Sequence, residues 1–133
     1  MRLSLPLLLA TAMTAAAVDC NTGDFYDVGS VSLYMPFRGK SIACELGEGN
    51  NSEGVSALQQ QINLCYDDVI AAKLKVDGDF GGKTKAAVKA VQKAVKADQD
   101  GRYGAETRGK MKWGLYFNSN PKDKGLCTIQ GKG

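Results

Sequence analysis

Two sets of side chains in this sequence have the types and spacing to do chemistry. The first is Asp77-Gly78-Asp79-Phe80-Gly81-Gly82-Lys83-Thr84, echoed at an offset of 23 residues by Asp100-Gly101-Arg102-Tyr103-Gly104-Ala105-Glu106-Thr107. Carboxylates, a guanidinium, hydroxyls and aromatic rings between glycines suit a loop that ligates a cation or grips a polar ligand. The second set is Glu45, Glu48 and Glu53, carboxylates that as a pair could hydrolyse a glycoside. The cation reading fails on spacing. If Gly101 takes the glycine position of a calcium loop, Lys96 falls at the first ligand position. If Gly78 takes it, Lys73 and Lys75 fall at the first and third, and the closing bidentate position is Thr84 or Thr107 rather than Glu. The glutamates lie in a Gly- and Asn-rich stretch that offers nothing to raise a carboxyl pKa. The sequence has no histidine, so His-dependent triads and His-ligated zinc sites are excluded, and no two cysteines are spaced as a zinc-knuckle pair. The expectation is a protein that is not an enzyme and uses neither metal nor cofactor.

The repeat reads as a device for starting helices. Aspartate bonds nearby backbone N–H groups and glycine takes positive φ freely, so each Asp-Gly pair predicts a turn. The aromatic residue two positions on can fold beneath the turn, and the threonine falls in the first helical turn, where its hydroxyl can bond backbone groups. A helix is predicted from Gly82 to about Ala97, with Thr84, Ala87, Val88, Val91 and Val95 as its apolar stripe and lysines 85, 89, 93 and 96 on a solvated face. A second is predicted from Ala105 to about Leu115, burying Met111 and either Trp113 or Leu115. Upstream, Ser52 to Tyr66 reads as a helix capped by the Ser52 hydroxyl, with Val55, Leu58, Ile62, Cys65 and Tyr66 on one face. Gln59, Gln60 and Gln61 count as helix formers that need no core. Residues 18–51 are rich in Gly, Asp, Asn and Ser and read as an irregular arm. Within it Val31 to Phe37 is a short extended piece held at an edge by Pro36.

Met1-Arg2, the apolar run Leu3 to Ala10 and the small residues Ala15-Ala16-Ala17 have the layout of a secretory signal peptide, with cleavage expected after Ala17. The chain carries 17 Lys and Arg against 14 Asp and Glu over 133 residues; losing Arg2 with the leader leaves +2, too weak a charge to argue for nucleic acid. No membrane attachment is expected once the leader is removed. Cys20, Cys44, Cys65 and Cys127 form an even set behind a leader, which reads as two disulfides. Three pairings are open; Cys44–Cys127 with Cys20–Cys65, which constrains the longest loop, is the one expected. Asn50-Asn51-Ser52 is a glycosylation sequon if the source glycosylates.

Taken together, Val55-x-x-Leu58-Gln59-x-x-Ile62-Asn63, Leu74-x-Val76-Asp77-Gly78-x-Phe80-Gly81-x-x-Thr84-x-x-Ala87-Val88-x-x-x-Gln92 and Asp100-Gly101-x-Tyr103-Gly104-x-x-Thr107 resemble the peptidoglycan-binding-like domain family. The match covers about residues 46–113. The resemblance implies an all-α fold, a compact three-helix bundle. Here it would occupy residues 52–115, with an irregular N-terminal arm (18–51) and a C-terminal tail (116–133) tethered by Cys127. It implies a monomeric, non-catalytic module, secreted or wall-associated, that binds cell-wall peptidoglycan or a related glycan. A secreted effector reusing the same bundle for a protein partner is the alternative. The family usually has proline where this chain has Gly82 and Ala105, so these helix starts are expected to be looser. If the two loop-to-helix turns meet at one end of the bundle, Asp77, Asp79, Arg102, Tyr103 and Thr107 would surround the ligand groove. Arg102 would there be placed to fork onto a stem-peptide carboxylate.

Overall fold

The computed structural model of the protein describes residues 17–117 and 124–129; the expected leader lies outside them except for Ala17. Three helices form where loop-to-helix signals were read: α1 (Glu53–Cys65), α2 (Gly82–Ala94) and α3 (Ala105–Lys110). The fold is nonetheless not all-α. Four strands, β1 (Thr22–Val28), β2 (Val31–Phe37), β3 (Lys112–Phe117) and β4 (Lys124–Ile129), make an antiparallel sheet in the order β1-β2-β3-β4.

The sheet corrects both arms and the third helix. The N-terminal arm is a hairpin, β1 pairing β2 from Thr22–Phe37 to Val28–Val31. The extended piece Val31 to Phe37 is an inner strand, but β3 covers only its start, pairing Val31, Ser32 and Leu33 with Phe117, Tyr116 and Leu115. Pro36 therefore sits where β2 has a partner on one side only, and its missing N–H costs no ladder bond. The expected third helix stops at Lys110 because Lys112 onward is claimed by β2 and β4. Trp113, Leu115, Tyr116 and Phe117 are bulky residues that suit a half-buried pleated surface, and Gly109 and Gly114 weaken any helical continuation.

The disulfides are Cys20–Cys44 and Cys65–Cys127, not the pairing expected. A rule that favours the longest loop is blind to position. The hairpin folds Cys20 back toward Cys44, and the Cys20 N–H donates at 2.9 Å to the carbonyl of Glu45, the residue after Cys44. β4 carries Cys127 alongside β3 to the end of α1, where Cys65 waits.

The core draws on all layers. Val55, Leu58 and Ile62 of α1, Val88 and Val91 of α2, Leu33 and Met35 of β2, and Trp113 of β3 are all buried. Phe80 and Tyr103, the aromatic residues of the two repeats, are buried beneath their turns, and the Tyr103 ring stands edge-on to Trp113 at 5.9 Å between centroids. Met111 and Trp113 are both fully enclosed, and the Trp113 indole N–H donates to the Arg108 carbonyl at 3.1 Å.

Candidate functional site

The two repeated turns are built alike, and each is closed by a glutamine. In the first, the Gln59 amide nitrogen donates to the Asp77 carboxylate (3.2 Å), the Asp79 carbonyl (3.1 Å) and the Thr84 hydroxyl (3.0 Å). Its carbonyl accepts from the Asp77 and Gly78 N–H groups, both at 3.1 Å. In the second, Gln92 donates to the Asp100 carboxylate (2.9 Å), the Arg102 carbonyl (2.8 Å) and the Thr107 hydroxyl (3.0 Å), and accepts from the Gly101 N–H at 3.0 Å. Each aspartate also accepts from the backbone two residues on, Asp79 or Arg102. Gly78 and Gly101 take φ +75° and +74°, the left-handed conformation that the turn requires.

These bonds fix the turn carboxylates in the charged form. The N–H of Asp79, and then the Gln59 amide, hold Asp77 below the usual carboxylate range. For Asp100, burial acts upward, but the Arg102 N–H and the Gln92 amide outweigh it and the net shift is downward. The threonine hydroxyls are occupied by glutamine side chains rather than by free backbone groups.

One strap joins both turns. Leu46 and Tyr103 exchange backbone hydrogen bonds at 2.8 and 2.9 Å. A few residues on, Gly49 donates to the Phe80 carbonyl, Phe80 to the Asn50 carbonyl and Ser52 to the Gly78 carbonyl. An extended chain from Leu46 to Asn50 would span at most about 14 Å, and a turn at Gly47–Asn50 shortens it further. The two turns are therefore neighbours, as expected. Their surface hollows are separate. One of about 180 Å³ is lined by Asp77, Asp79, Lys75, Lys83 and Thr84. The other, of about 230 Å³, is lined by Asp100, Arg102, Glu45, Glu106 and Thr107. Both are smaller than the roughly 300–1,000 Å³ of a pocket that engulfs a small molecule.

The five residues expected around a groove divide into three kinds. Asp79 and Arg102 are exposed, the Arg102 guanidinium lying against Gly47, where a Cβ would collide with it. Asp77 is exposed but engaged in its turn, and Thr107 is 4% exposed and engaged by Gln92. Tyr103 is fully buried, so its ring is not available to stack on a sugar; burial also raises its phenol well above the ordinary range. Among the described residues its hydroxyl makes no hydrogen bond of good geometry, although the nearby Arg108 guanidinium opposes the rise.

Sequence reasoning missed the glutamines. Gln59 and Gln61 are 1% and 0% exposed, although helix propensity alone assigned them no core. Gln61 donates to the Tyr116 hydroxyl at 3.0 Å and accepts from the Gly114 N–H at 2.8 Å, tying α1 to β3. Their legible signal was position: Gln59 follows the core residue Leu58, and Gln92 follows Val91. Ser52 does occupy the N-cap position of α1, but its hydroxyl donates to the Cys20 carbonyl at 3.2 Å instead of capping the helix.

Comparison with known proteins bears on the same segment. Residues 51–111 match the family model of a putative peptidoglycan binding domain. The matched segment begins in the strap and ends one residue after α3, so it contains both turns and all three helices but none of the four strands. No curated protein matches the chain.

Proposed function

We propose that the protein is a secreted, non-catalytic module that holds cell-wall peptidoglycan or a closely related glycan. The match of residues 51–111 to a peptidoglycan binding domain carries this reading. Two disulfides are compatible with an extracytoplasmic setting, where such bonds persist. Two shallow hollows on neighbouring turns suit a polymer lying across a surface better than a small molecule swallowed by a pocket. Within this reading Arg102 and Asp79 are the contacts, since their side chains are exposed beside rigid turns. Arg102 supplies a planar fork for a peptide carboxylate. Asp77, Thr107 and the buried Tyr103 hold the turns in shape.

Sedimentation of the full chain with insoluble purified cell walls tests the proposal. The wild type is expected to pellet. Arg102→Ala is expected to pellet about tenfold less readily, the order of one lost charge-assisted contact of ~1.4 kcal/mol, with the melting temperature nearly unchanged. Wild-type protein that stays in the supernatant would overturn the function, and equal pelleting of the variant would overturn the role of Arg102.

A further inference from the structure

We propose that the cleft between the sheet and α1 is a saccharide-binding site, and that it takes a β-linked N-acetylhexosamine chain. The strands that supply its aromatic rings fall outside the segment matched to the family, while Gln60, Asn63, Leu64, Lys73 and Val76 of its lining fall within it. Its volume is about 510 Å³, more than twice that of either turn hollow and within the range of small-ligand sites. The choice of an N-acetylated sugar rests on the wall-binding reading above; the place and the mode of binding rest on the cleft.

The sheet register assembles the cleft. Phe25 and Tyr34 are directly opposed on β1 and β2, and Tyr116, opposed to Ser32, falls on the same face. The three rings are tilted against one another by 58–76° at centroid distances of 5.2–6.5 Å, so they form an open fan rather than a closed stack. Two glycines on this face let α1 come close. A Cβ on Gly114 would collide with Leu64, and one on Gly23 with Tyr34 and Ala57. Tyr116 is locked by its bond from Gln61 and is nearly buried, while Phe25 and Tyr34 remain half-exposed. Burial, with the nearby charges of Glu53 and Asp24, raises the Tyr34 phenol, so its hydroxyl stays protonated through the neutral range.

The rest of the lining completes a sugar's requirements. Apolar Leu64 and Val76 sit beside the exposed amide of Gln60, a combination that matches the methyl and amide of an acetamido group. Asn63 shapes the wall but is not available, since both ends of its amide are bonded to the Leu74 backbone at 2.8 Å. Among the described residues, Lys73 is the only charged side chain lining the cleft. The aromatic floor and the amide suit the sugar chain itself, and the Lys73 ammonium adds a preference for one that carries a carboxylate. Two sources share this chemistry: a chain of N-acetylglucosamine, and the same sugar alternating with a lactyl-bearing one in peptidoglycan.

Amide NMR shifts of the labelled full chain, titrated separately with N-acetylglucosamine tetramer and with a soluble muramyl disaccharide-peptide, test the site. Shifts are expected to cluster on Phe25, Tyr34, Gln60 and Val76. Phe25→Ala and, independently, the surface change Gln60→Leu should each weaken binding of both probes about tenfold. Lys73→Gln should leave the tetramer unaffected and weaken the acidic probe alone. If Lys73→Gln changes neither, its role falls; if only the acidic probe binds, the source is the peptidoglycan strand, and if both bind, the shared sugar suffices. Shifts confined to the Asp77 and Asp100 turns, with walls still pelleting the protein, would overturn the cleft and leave the function standing. Failure of walls and both sugars to bind would overturn both.

Discussion

The turns at Asp77–Thr84 and Asp100–Thr107 share a sequence pattern, a backbone conformation and a hydrogen-bond plan, yet they are closed from different distances. Gln59 reaches the first turn from α1, 18 residues before Asp77, and makes two backbone acceptor bonds as well as three donor bonds. Gln92 reaches the second from α2, 8 residues before Asp100, and accepts only from Gly101. The first turn thus fastens one helix to the start of another. The second is largely a local loop, whose long-range ties are the Leu46 ladder and the packing of Tyr103. A repeat in sequence marks two equivalent sockets; what fills each socket does not follow the 23-residue offset.

The sharpest way to break this equivalence is to remove the two glutamines in turn. Gln59→Ala strands the Asp77 and Gly78 N–H groups and the Thr84 hydroxyl at a largely buried seam. Each buried group left without a partner costs about 1–3 kcal/mol, so the total loss is expected to exceed about 3 kcal/mol. Gln92→Ala is expected to cost about 2 kcal/mol, because the one backbone donor it strands, the Gly101 N–H, lies in a loop that can relax. Urea unfolding of both variants measures the difference, and equal losses would mean that the two turns are fastened alike.

The glycines give a second, smaller contrast. Both need positive φ, which costs an alanine about 1 kcal/mol. A Cβ on Gly78 would also lie 2.9 Å from the Ser52 carbonyl oxygen, which is held by α1 and cannot retreat. At Gly101 the near atoms belong to the Lys85 and Lys89 side chains, which can swing away. Gly78→Ala is therefore expected to destabilise by about 2–3 kcal/mol and Gly101→Ala by about 1 kcal/mol, read from the same unfolding curves.

Local chemistry is what the sequence makes legible. The Asp-Gly turns, the starts of α2 and α3 and the burial of Phe80 all follow from residues within a few positions of one another. The sheet does not. β1 contains Gly23, Asp24 and Asp27, which disfavour strand, and it becomes one only because β2 folds back on it. Lys112–Phe117 lies at the end of a helical pattern and is drawn into strand by partners some 80 residues upstream and a few residues downstream. The two turns lie together as their shared pattern suggests, but nothing in that pattern shows that Leu46 and Trp113 enclose Tyr103.

That enclosure makes the aromatic positions a test of whether the second turn can be made more like the first. Phe80 and Tyr103 are counterparts, and among the described residues the Tyr103 hydroxyl is buried without a well-formed hydrogen bond. Tyr103→Phe removes a buried polar atom that only the Arg108 guanidinium approaches among the described residues, so stability is expected to rise by about 1 kcal/mol, seen as a higher melting temperature. Wall binding should be unaffected. Weaker binding by this variant would instead show that the hydroxyl meets ligand through an opening of the core.

The smallest effects concern how each turn hands over to its helix. Gly82 and Ala105 are the first residues of α2 and α3, a position where proline pre-sets φ and where no intrahelical N–H bond is lost. The residues before them also permit proline: Gly81 and Gly104 are extended, with φ −101° and −142°. A Cβ on Gly82 would meet open space. Both substitutions should therefore stabilise the protein through the unfolded chain, by about 0.4–1 kcal/mol each. Gly82→Pro should give more than Ala105→Pro, since glycine has the greater freedom to lose, and it starts a helix of 13 residues rather than 6. Differential scanning calorimetry of the two variants resolves such a difference. A larger gain at Ala105 would mean that the second turn, despite its local closure, is the looser of the two.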